Sequence, residues 1–200
     1  HVLFDLGSIS LDLSTHEIVN DVLMAIFFLL VGLEIKREIL AGELKNFSTA
    51  LLPIIGAAGG MIFPALFYVV FNYSDPLALS GWAIPTATDI AFSLGVISLF
   101  GRSLPFSLKV FLTALAIIDD LLAILVIAFF YTASLSATNL LFALSILLGL
   151  IILNRIGKTK LKYYFIPGIF LFYFIHNSGV HATIAGVLLA MTIPLKGKTP

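Results

Sequence analysis

The stretch LTALAIIDDLLAILVIAFFYT, residues 112–132, is apolar almost throughout, yet it carries two adjacent aspartates, Asp119 and Asp120, in its middle. About 20 consecutive apolar residues are enough for a helix to cross the hydrocarbon core of a bilayer. An aspartate at the centre of such a helix costs on the order of 3 kcal/mol. Packing alone does not compensate two of these costs, so the pair indicates an ion or proton pathway.

Neighbouring residues on a helix point about 100° apart, so the two carboxyl groups can have different roles. One can line a wet cavity while the other reaches a partner on a neighbouring helix. The alternative is a structural pair that is hydrogen-bonded and protonated throughout.

The overall composition places the chain among membrane proteins. Hydrophobic residues make up 60% of the chain and charged residues 11%, and the mean hydropathy is +1.12. These values lie outside the range of soluble domains, so lipid is the expected surrounding. The formal net charge is zero, which gives no indication of a nucleic-acid partner, and the absence of cysteine excludes a disulfide framework. No nucleophile–base pair, phosphate loop or metal-ligand cluster is recognisable, so an enzyme is not expected.

Apolar runs separated by turn signals predict an all-α polytopic membrane protein with seven spans. The predicted spans are about 15–41, 51–72, 78–100, 105–132, 138–154, 161–175 and 178–194.

The basic residues predict the orientation of these spans. All eleven fall at span ends and connections that lie on one side of the membrane, and the alternate connections carry none. By the positive-inside rule that side is the cytoplasm, and the N-terminus faces out. The eleven are Lys36, Arg37, Lys45, Arg102, Lys109, Arg155, Lys158, Lys160, Lys162, Lys196 and Lys198.

Residues 1–14 alternate between apolar and polar side chains around Gly7-Ser8, which predicts a short β-hairpin on the outer surface. The alternative is a disordered stub. Residues 15–200 then form one transmembrane transport domain. The chain starts at His1 and stops at KGKTP, so both ends are expected to be cuts within a longer protein.

A third carboxyl group at depth, Asp89, lies in the stretch WAIPTATDIAFSLG, residues 82–95. Pro85 removes a helix hydrogen bond in mid-span, which favours a broken helix. Such a break exposes a half-helix N-terminus with partial positive charge, which Asp89 and the Thr88 hydroxyl are placed to neutralise. The alternative is a kinked but continuous helix in which Asp89 is satisfied locally.

The chain carries the four motifs FFLLVGLEIKREIL at 27–40, IPTATDIAFSLGV at 84–96, KVFLTALAIIDDLLAI at 109–124 and SGVHATIAGV at 178–187. Together they resemble the NhaA family of bacterial sodium/proton antiporters. The resemblance implies a bundle of twelve helices with two inverted repeats, each with a broken helix, of which about seven helices are expected here. The first helix of the family and its second repeat, with a lysine expected opposite Asp119, are expected to be missing.

The resemblance also assigns roles to the buried carboxyl groups. Asp120 matches the principal cation-ligating aspartate of the family, and Asp119 matches its neighbour, so the transported Na⁺ is expected on this pair. Thr88 and Asp89 match the residues that compensate the helix dipoles at the break. The implied activity is electrogenic exchange of Na⁺ or Li⁺ for protons, without a cofactor.

A pH response is implied for a second group of residues. Glu34, Arg37 and Glu38 match residues of a cytoplasmic funnel linked to pH activation, although by spacing alone they predict i,i+3 and i,i+4 ion pairs on a wet helix end. His181 matches a histidine implicated in the pH response, and a merely packed or interfacial histidine is the alternative. Asp21 matches a position of lesser role.

The resemblance further implies the bacterial inner membrane as location and a homodimer that forms by strand pairing of the N-terminal hairpins. Three other functions compete with ion exchange. A seven-helix photoreceptor is excluded because the last span, 178–194, has no lysine for retinal. A sodium channel needs an acidic ring from several chains, and no filter is recognisable. A non-transporting structural or assembly subunit stays open as the alternative.

Overall fold

A computed structural model of the chain describes residues 2–5, 10–13, 18–45, 47–86, 90–99, 105–130 and 135–195. A π-helical turn, Ile18–Leu23, leads into the first α-helix, and 3-10 turns occupy Glu43–Lys45 and Ile84–Thr86. The α-helices in the described ranges are α1 (Met24–Ala41), α2 (Phe47–Asn72), α3 (Pro76–Leu79), α4 (Ile90–Leu99), α5 (Phe106–Phe130), α6 (Ala137–Arg155), α7 (Lys162–His176) and α8 (Thr183–Thr192).

Four of the described segments are long and apolar enough to cross a bilayer: Ile18–Ala41, Phe47–Asn72, Ser107–Phe130 and Ala137–Arg155. They correspond to the first, second, fourth and fifth spans expected from the sequence, and they fit a helical multi-pass membrane protein. The other three expected spans coincide with the shorter helices α4, α7 and α8, which have 10, 15 and 10 residues. At 1.5 Å per residue these reach about 15–22 Å, less than the roughly 30 Å of hydrocarbon.

The region of the expected third span contains several short elements. Asp75 caps α3, since its Oδ1 accepts hydrogen bonds from the amides of Leu77 and Ala78 at 2.9 and 3.2 Å. A 3-10 turn around Pro85 follows, and α4 begins at Ile90. Thr88 and Asp89, the residues on which the predicted helix break depends, lie outside the described residues.

Two short strands lie at the start of the chain. Strand β1 (Val2–Asp5) pairs antiparallel with β2 (Ser10–Leu13), so that Val2 lies opposite Leu13 and Asp5 lies opposite Ser10. The Gly7-Ser8 turn predicted between them is outside the described residues.

The chain divides into two compact units, and the first combines residues 1–36 with 128–200. Helices α6, α7 and α8 pack against one another in this unit, and Leu29 of α1 joins their apolar core. The buried core residues are Leu29, Ala143, Leu150, Tyr164, Leu171, Ile175, Ala185, Leu189, Ala190 and Ile193.

Small residues bring α1 and α8 into close contact within this first unit. A Cβ atom on Gly186 would overlap the carbonyl oxygen of Ala25, and one on Gly32 would lie 2.8 Å from the Cβ of Ala190. Lipid tails are as apolar as leucine, so membrane helices associate through close packing rather than through the hydrophobic effect. Glycine at these two positions therefore allows the two backbones to approach.

The second unit, residues 37–127, contains α2 to α4 and most of α5. The buried residues of α2 are Ala50, Pro53 and Ala57, whose spacing places them on one face of the helix. The Tyr68 hydroxyl donates to the carbonyl of Ala78 at 2.9 Å, which ties the end of α2 to α3.

The contact between α1 and α8 predicts that Gly186→Ala destabilises the protein. The added methyl group overlaps backbone atoms of α1, and overpacking of this kind costs about 1–3 kcal/mol. Gly149→Ala in α6 is the matched control, because its Cβ would meet nothing within 4 Å and alanine is the better helix former. Thermal unfolding in detergent should show a lower midpoint for Gly186→Ala only. Equal midpoints for the two variants would contradict the close packing.

Candidate functional site

Asp119 and Asp120 lie one and two residues past the midpoint of α5, which falls at Ile118. Asp119 is only 6% exposed, and the three residues before it, 116–118, are also buried. The middle of α5 is therefore surrounded by protein, and Asp119 is a carboxyl group in the interior. The apolar run alone predicted both aspartates in the middle of this helix.

The two carboxyl groups differ in exposure. Asp120 is half-buried, whereas Asp119 is buried. Each takes part in a hydrogen-bond or electrostatic interaction, and among the described side chains no buried nitrogen or oxygen lacks a hydrogen-bond partner. The two carboxyl groups therefore have different surroundings, one in the interior and one partly accessible.

Helix α2 packs against α5 close to this pair. A Cβ atom on Gly56 would lie 3.0 Å from a methyl group of Leu115 and 3.9 Å from the ring of Phe111. Leu115 precedes Asp119 by four residues, so it lies one turn away on the same face of α5. The small residue on α2 thus allows the close approach of a second helix beside the aspartates.

Carboxylate oxygens bind hard cations, and they also bind protons. A carboxyl group in a low-dielectric interior stays charged only when hydrogen bonds or a positive charge compensate it, and otherwise it binds a proton. The described side chains contain no group of three or more His, Cys, Asp or Glu that could hold a metal ion. Thr88 and Asp89, the other residues expected near this site, lie outside the described residues.

The Glu34, Arg37 and Glu38 group lies in the second half of α1. Arg37 forms an ion pair with its neighbour Glu38, with Nη2 and Nε at 3.1 and 3.3 Å from Oε1. The Arg37 side chain is 61% exposed and that of Glu38 is 15% exposed. Glu34 is half-buried, and all three residues take part in further interactions.

His181 lies two residues before the start of α8. Its Nδ1 is 3.0 Å from the Thr183 hydroxyl, and the side chain is half-buried. Lys36 of α1 contacts the opposite end of α8, about 15 Å away along a helix of ten residues. His181 is therefore remote from the Lys36 end of α1.

Sequence reasoning missed a contact between the beginning and the end of the first unit. Asp21 lies in the π-helical turn before α1, and its Oδ2 is 3.6 Å from Nδ1 of His176 in the last turn of α7. The His176 ring also stacks on Phe172, with 6.1 Å between centroids. The only signal in the sequence was a histidine at the end of an apolar run, which does not reveal its partner.

An apolar groove of about 400 Å³ lies between α1, α7 and α8. None of the candidate site residues that the structure describes lines it. The lining residues are Val22, Ala25, Ile26, Leu29, Phe165, Gly168, Ile169, Phe172, Ala185, Gly186 and Leu189.

Comparison with known proteins agrees with the resemblance drawn from the four motifs. A family model described as Na+/H+ antiporter 1 matches residues 1–200. A Na(+)/H(+) antiporter NhaA of Pelagibacter ubique is 57% identical over 194 residues, which are 97% of this chain and 50% of that protein. A Rhizobium etli relative of the same name is 60% identical over 178 residues, covering 89% and 45%. An NhaA 2 of Magnetococcus marinus is 57% identical over 182 residues, covering 91% and 46%. The chain thus spans about half the length of the curated relatives it matches.

The exposure of Arg37 predicts that its ion pair with Glu38 contributes little to stability. Arg37→Gln should change the free energy of unfolding by less than about 1 kcal/mol, because exposed pairs are screened by solvent. Chemical or thermal unfolding in detergent measures the change, with Arg155→Gln at the exposed end of α6 as control. A larger loss for Arg37→Gln would show that the pair is structural. If the stability of Arg37→Gln is unchanged, any effect of this substitution on ion transport does not come from unfolding.

Proposed function

Because the chain belongs to the Na+/H+ antiporter 1 family, we propose that it carries the exchange site of a transporter that moves sodium or lithium ions against protons. The observation that carries the proposal is the pair Asp119 and Asp120 at the middle of α5, one carboxyl group buried and the other half-buried. Two relatives that are 57% and 60% identical to this chain are named Na(+)/H(+) antiporter NhaA.

The chemistry of the proposed site follows from the cost of charge in a membrane interior. The charge of a carboxyl group at this depth has to be compensated, and a bound proton or a bound cation can each compensate it. Sodium and protons therefore compete for the same oxygens, and binding of one displaces the other. We assign the cation to Asp120, the more accessible carboxyl group, with Asp119 beside it as the internally held partner. Alternating access to the two sides then produces exchange.

Two carboxyl groups at one site also suit an electrogenic cycle. If both are protonated when sodium is absent, two protons leave as one sodium ion binds. Each cycle then moves one net charge. A membrane potential of 100 mV contributes about 2.3 kcal/mol for each charge moved, so such a transporter is driven by voltage as well as by the proton gradient.

Thr88 and Asp89 have the proposed role of compensating helix dipoles beside this site. Helix α4 begins at Ile90, directly after Asp89 in the chain. The N-terminus of a helix carries partial positive charge, which a carboxyl group at that position stabilises. Transporter sites in which a discontinuous helix presents its terminus at mid-depth follow the same principle.

A pH response is proposed for Glu34, Arg37 and Glu38 on α1, with His181 before α8. Support comes from the position of the three α1 residues, which lie next to one another near the end of the helix, and from the partial exposure of the group.

The proposal also covers the location of the protein and its partners. The helices fit a multi-pass membrane protein and the relatives are bacterial, so the cytoplasmic membrane is the proposed location. It is proposed to be a secondary transporter rather than an enzyme, with lipid around it and with transported ions instead of a resident cofactor. Paired strands β1 and β2 provide the edge through which two copies are proposed to dimerise.

Replacement of the proposed cation ligand tests the function. In everted vesicles with the full-length protein, Asp120→Asn should abolish sodium-driven proton flux, since an amide carries no charge for the ion to neutralise. Asp75→Asn is the control, because Asp75 is an exposed helix cap and asparagine also caps well. Flux that survives in Asp120→Asn would refute the exchange site and favour a structural role for the aspartate pair.

Removal of residues 1–14 tests the proposed dimer. Without β1 and β2, the protein in detergent should shift from dimer to monomer in light scattering, while flux per protomer stays measurable. The exchange site lies on α5, far along the chain from the deleted strands, so its chemistry is not removed with them. A deletion variant that remains fully dimeric would contradict strand pairing as the interface.

A further inference from the structure

The ammonium group of Lys36 on α1 contacts the C-terminal end of α8. Its Nζ donates to the carbonyl oxygens of Met191 and Ile193 at 2.7 and 2.5 Å, and it lies 3.5 Å from that of Ala190. Sequence analysis used Lys36 only as one of the basic residues that set the orientation. In the structure this residue joins two helices that are more than 150 positions apart in the chain.

The end of α8 needs such a partner for a local reason. The last carbonyl groups of a helix have no amide donor within the helix, and they form the negative end of its dipole. Residue 194 is proline, which has no N–H group to offer to the carbonyl of Ala190 four residues earlier. Lys36 brings a positive charge to this end and donates to carbonyls that the helix leaves without a partner.

A second side chain completes the end of α8. Asn154, near the end of α6, donates from Nδ2 to the carbonyl of Thr192 at 2.6 Å. Two neighbouring helices therefore satisfy the carbonyl groups of residues 191–193. Of these two donors only Lys36 is charged, and hydrogen bonds from charged donors are the stronger kind.

The Lys36 contact lies at one end of the stretch over which α1 and α8 pack closely. Gly32, one turn before Lys36, lies against Ala190, and Gly186 lies against the backbone of Ala25. The two helices are thus in contact from Ala25 to Lys36. The chain leaves the first compact unit directly after Lys36 and enters the second at Arg37.

We propose that Lys36 is a positioning residue for ion exchange, whose ammonium group ties α1 to the C-terminal carbonyls of α8 so that the two helices move as one rigid body. Alternating access consists largely of rigid-body movement of one helix group against another, and it requires that the helices within a group stay together. The inference rests on the proposed exchange function. It assigns Lys36 no contact with the transported ion, so its loss affects turnover rather than sodium affinity.

The first test compares variants of the full-length protein in everted vesicles. Lys36→Met should lower the maximal rate of sodium-driven proton flux about tenfold, the order expected for loss of a hydrogen bond from a charged donor. The sodium concentration at half-maximal rate should be unchanged. Lys36→Arg, which keeps a charged donor, should restore most of the rate, and Lys45→Met, at an exposed lysine, should match the parent. A Lys36→Met variant with the parent rate would overturn the proposal, and so would one changed only in sodium affinity.

The second test does not depend on transport. Hydrogen exchange of the amides in residues 183–195 should be faster in Lys36→Met than in the parent and close to normal in Lys36→Arg. Asn154→Ala, which removes the uncharged donor, should give a smaller increase and serves as the second variant if Lys36→Met does not fold. Unchanged hydrogen exchange in both Lys36→Met and Asn154→Ala would refute the proposal that these side chains hold the end of α8.

Combining the two tests separates the inference from the function on which it rests. Absence of flux in the parent protein refutes the exchange function, while hydrogen exchange still shows whether Lys36 holds α8. Flux in the parent that persists at full rate in Lys36→Met, together with faster hydrogen exchange, refutes the positioning role alone.

Discussion

In a lipid environment every buried polar group has to find its partner inside the protein, and the structure depends on this constraint. Hydrocarbon offers no hydrogen bonds, so an unsatisfied group costs several kcal/mol. The Tyr164 hydroxyl donates to the carbonyl of Lys158 at 2.7 Å, and the buried hydroxyls of Ser178 and Thr192 donate to carbonyls of their own helical turns. The end of α8 follows the same rule, since Lys36 donates hydrogen bonds to carbonyl groups that have no amide partner within α8.

Helix association in this protein relies on close packing, because moving an apolar side chain from lipid into the protein contributes little free energy. Within the first unit Gly186 and Gly32 bring α8 and α1 together, and within the second Gly56 brings α2 beside α5. Both contacts place a helix next to an element with a proposed function. One lies beside the α1 segment that carries the proposed pH-response group, and the other lies one turn from Asp119.

The aspartate pair is an exception to the rule that membrane-spanning helices avoid charged groups near their middle. A structural hydrogen bond can be made by a neutral side chain at lower cost, so two adjacent carboxyl groups are expensive for packing alone. The cost fits the proposed role of the pair, in which one positive species is exchanged for another. Family membership agrees with this proposed role. The chain spans about half the length of its relatives, and it carries both the aspartate pair and the motif around Asp89.

Sequence alone determined the membrane class, the long helices and the aspartate pair, because these follow from local properties. Apolar runs and turn residues act over a few positions, so 105–132 and 138–154 were predicted close to the observed α5 and α6. Tertiary structure decided the rest. The Lys36 contact with α8 and the proximity of Asp21 to His176 depend on which helices are neighbours. Nearly every helix is apolar on all sides, so hydropathy does not specify those neighbours, and backbone approach at glycines and pairing of the few polar groups determine them.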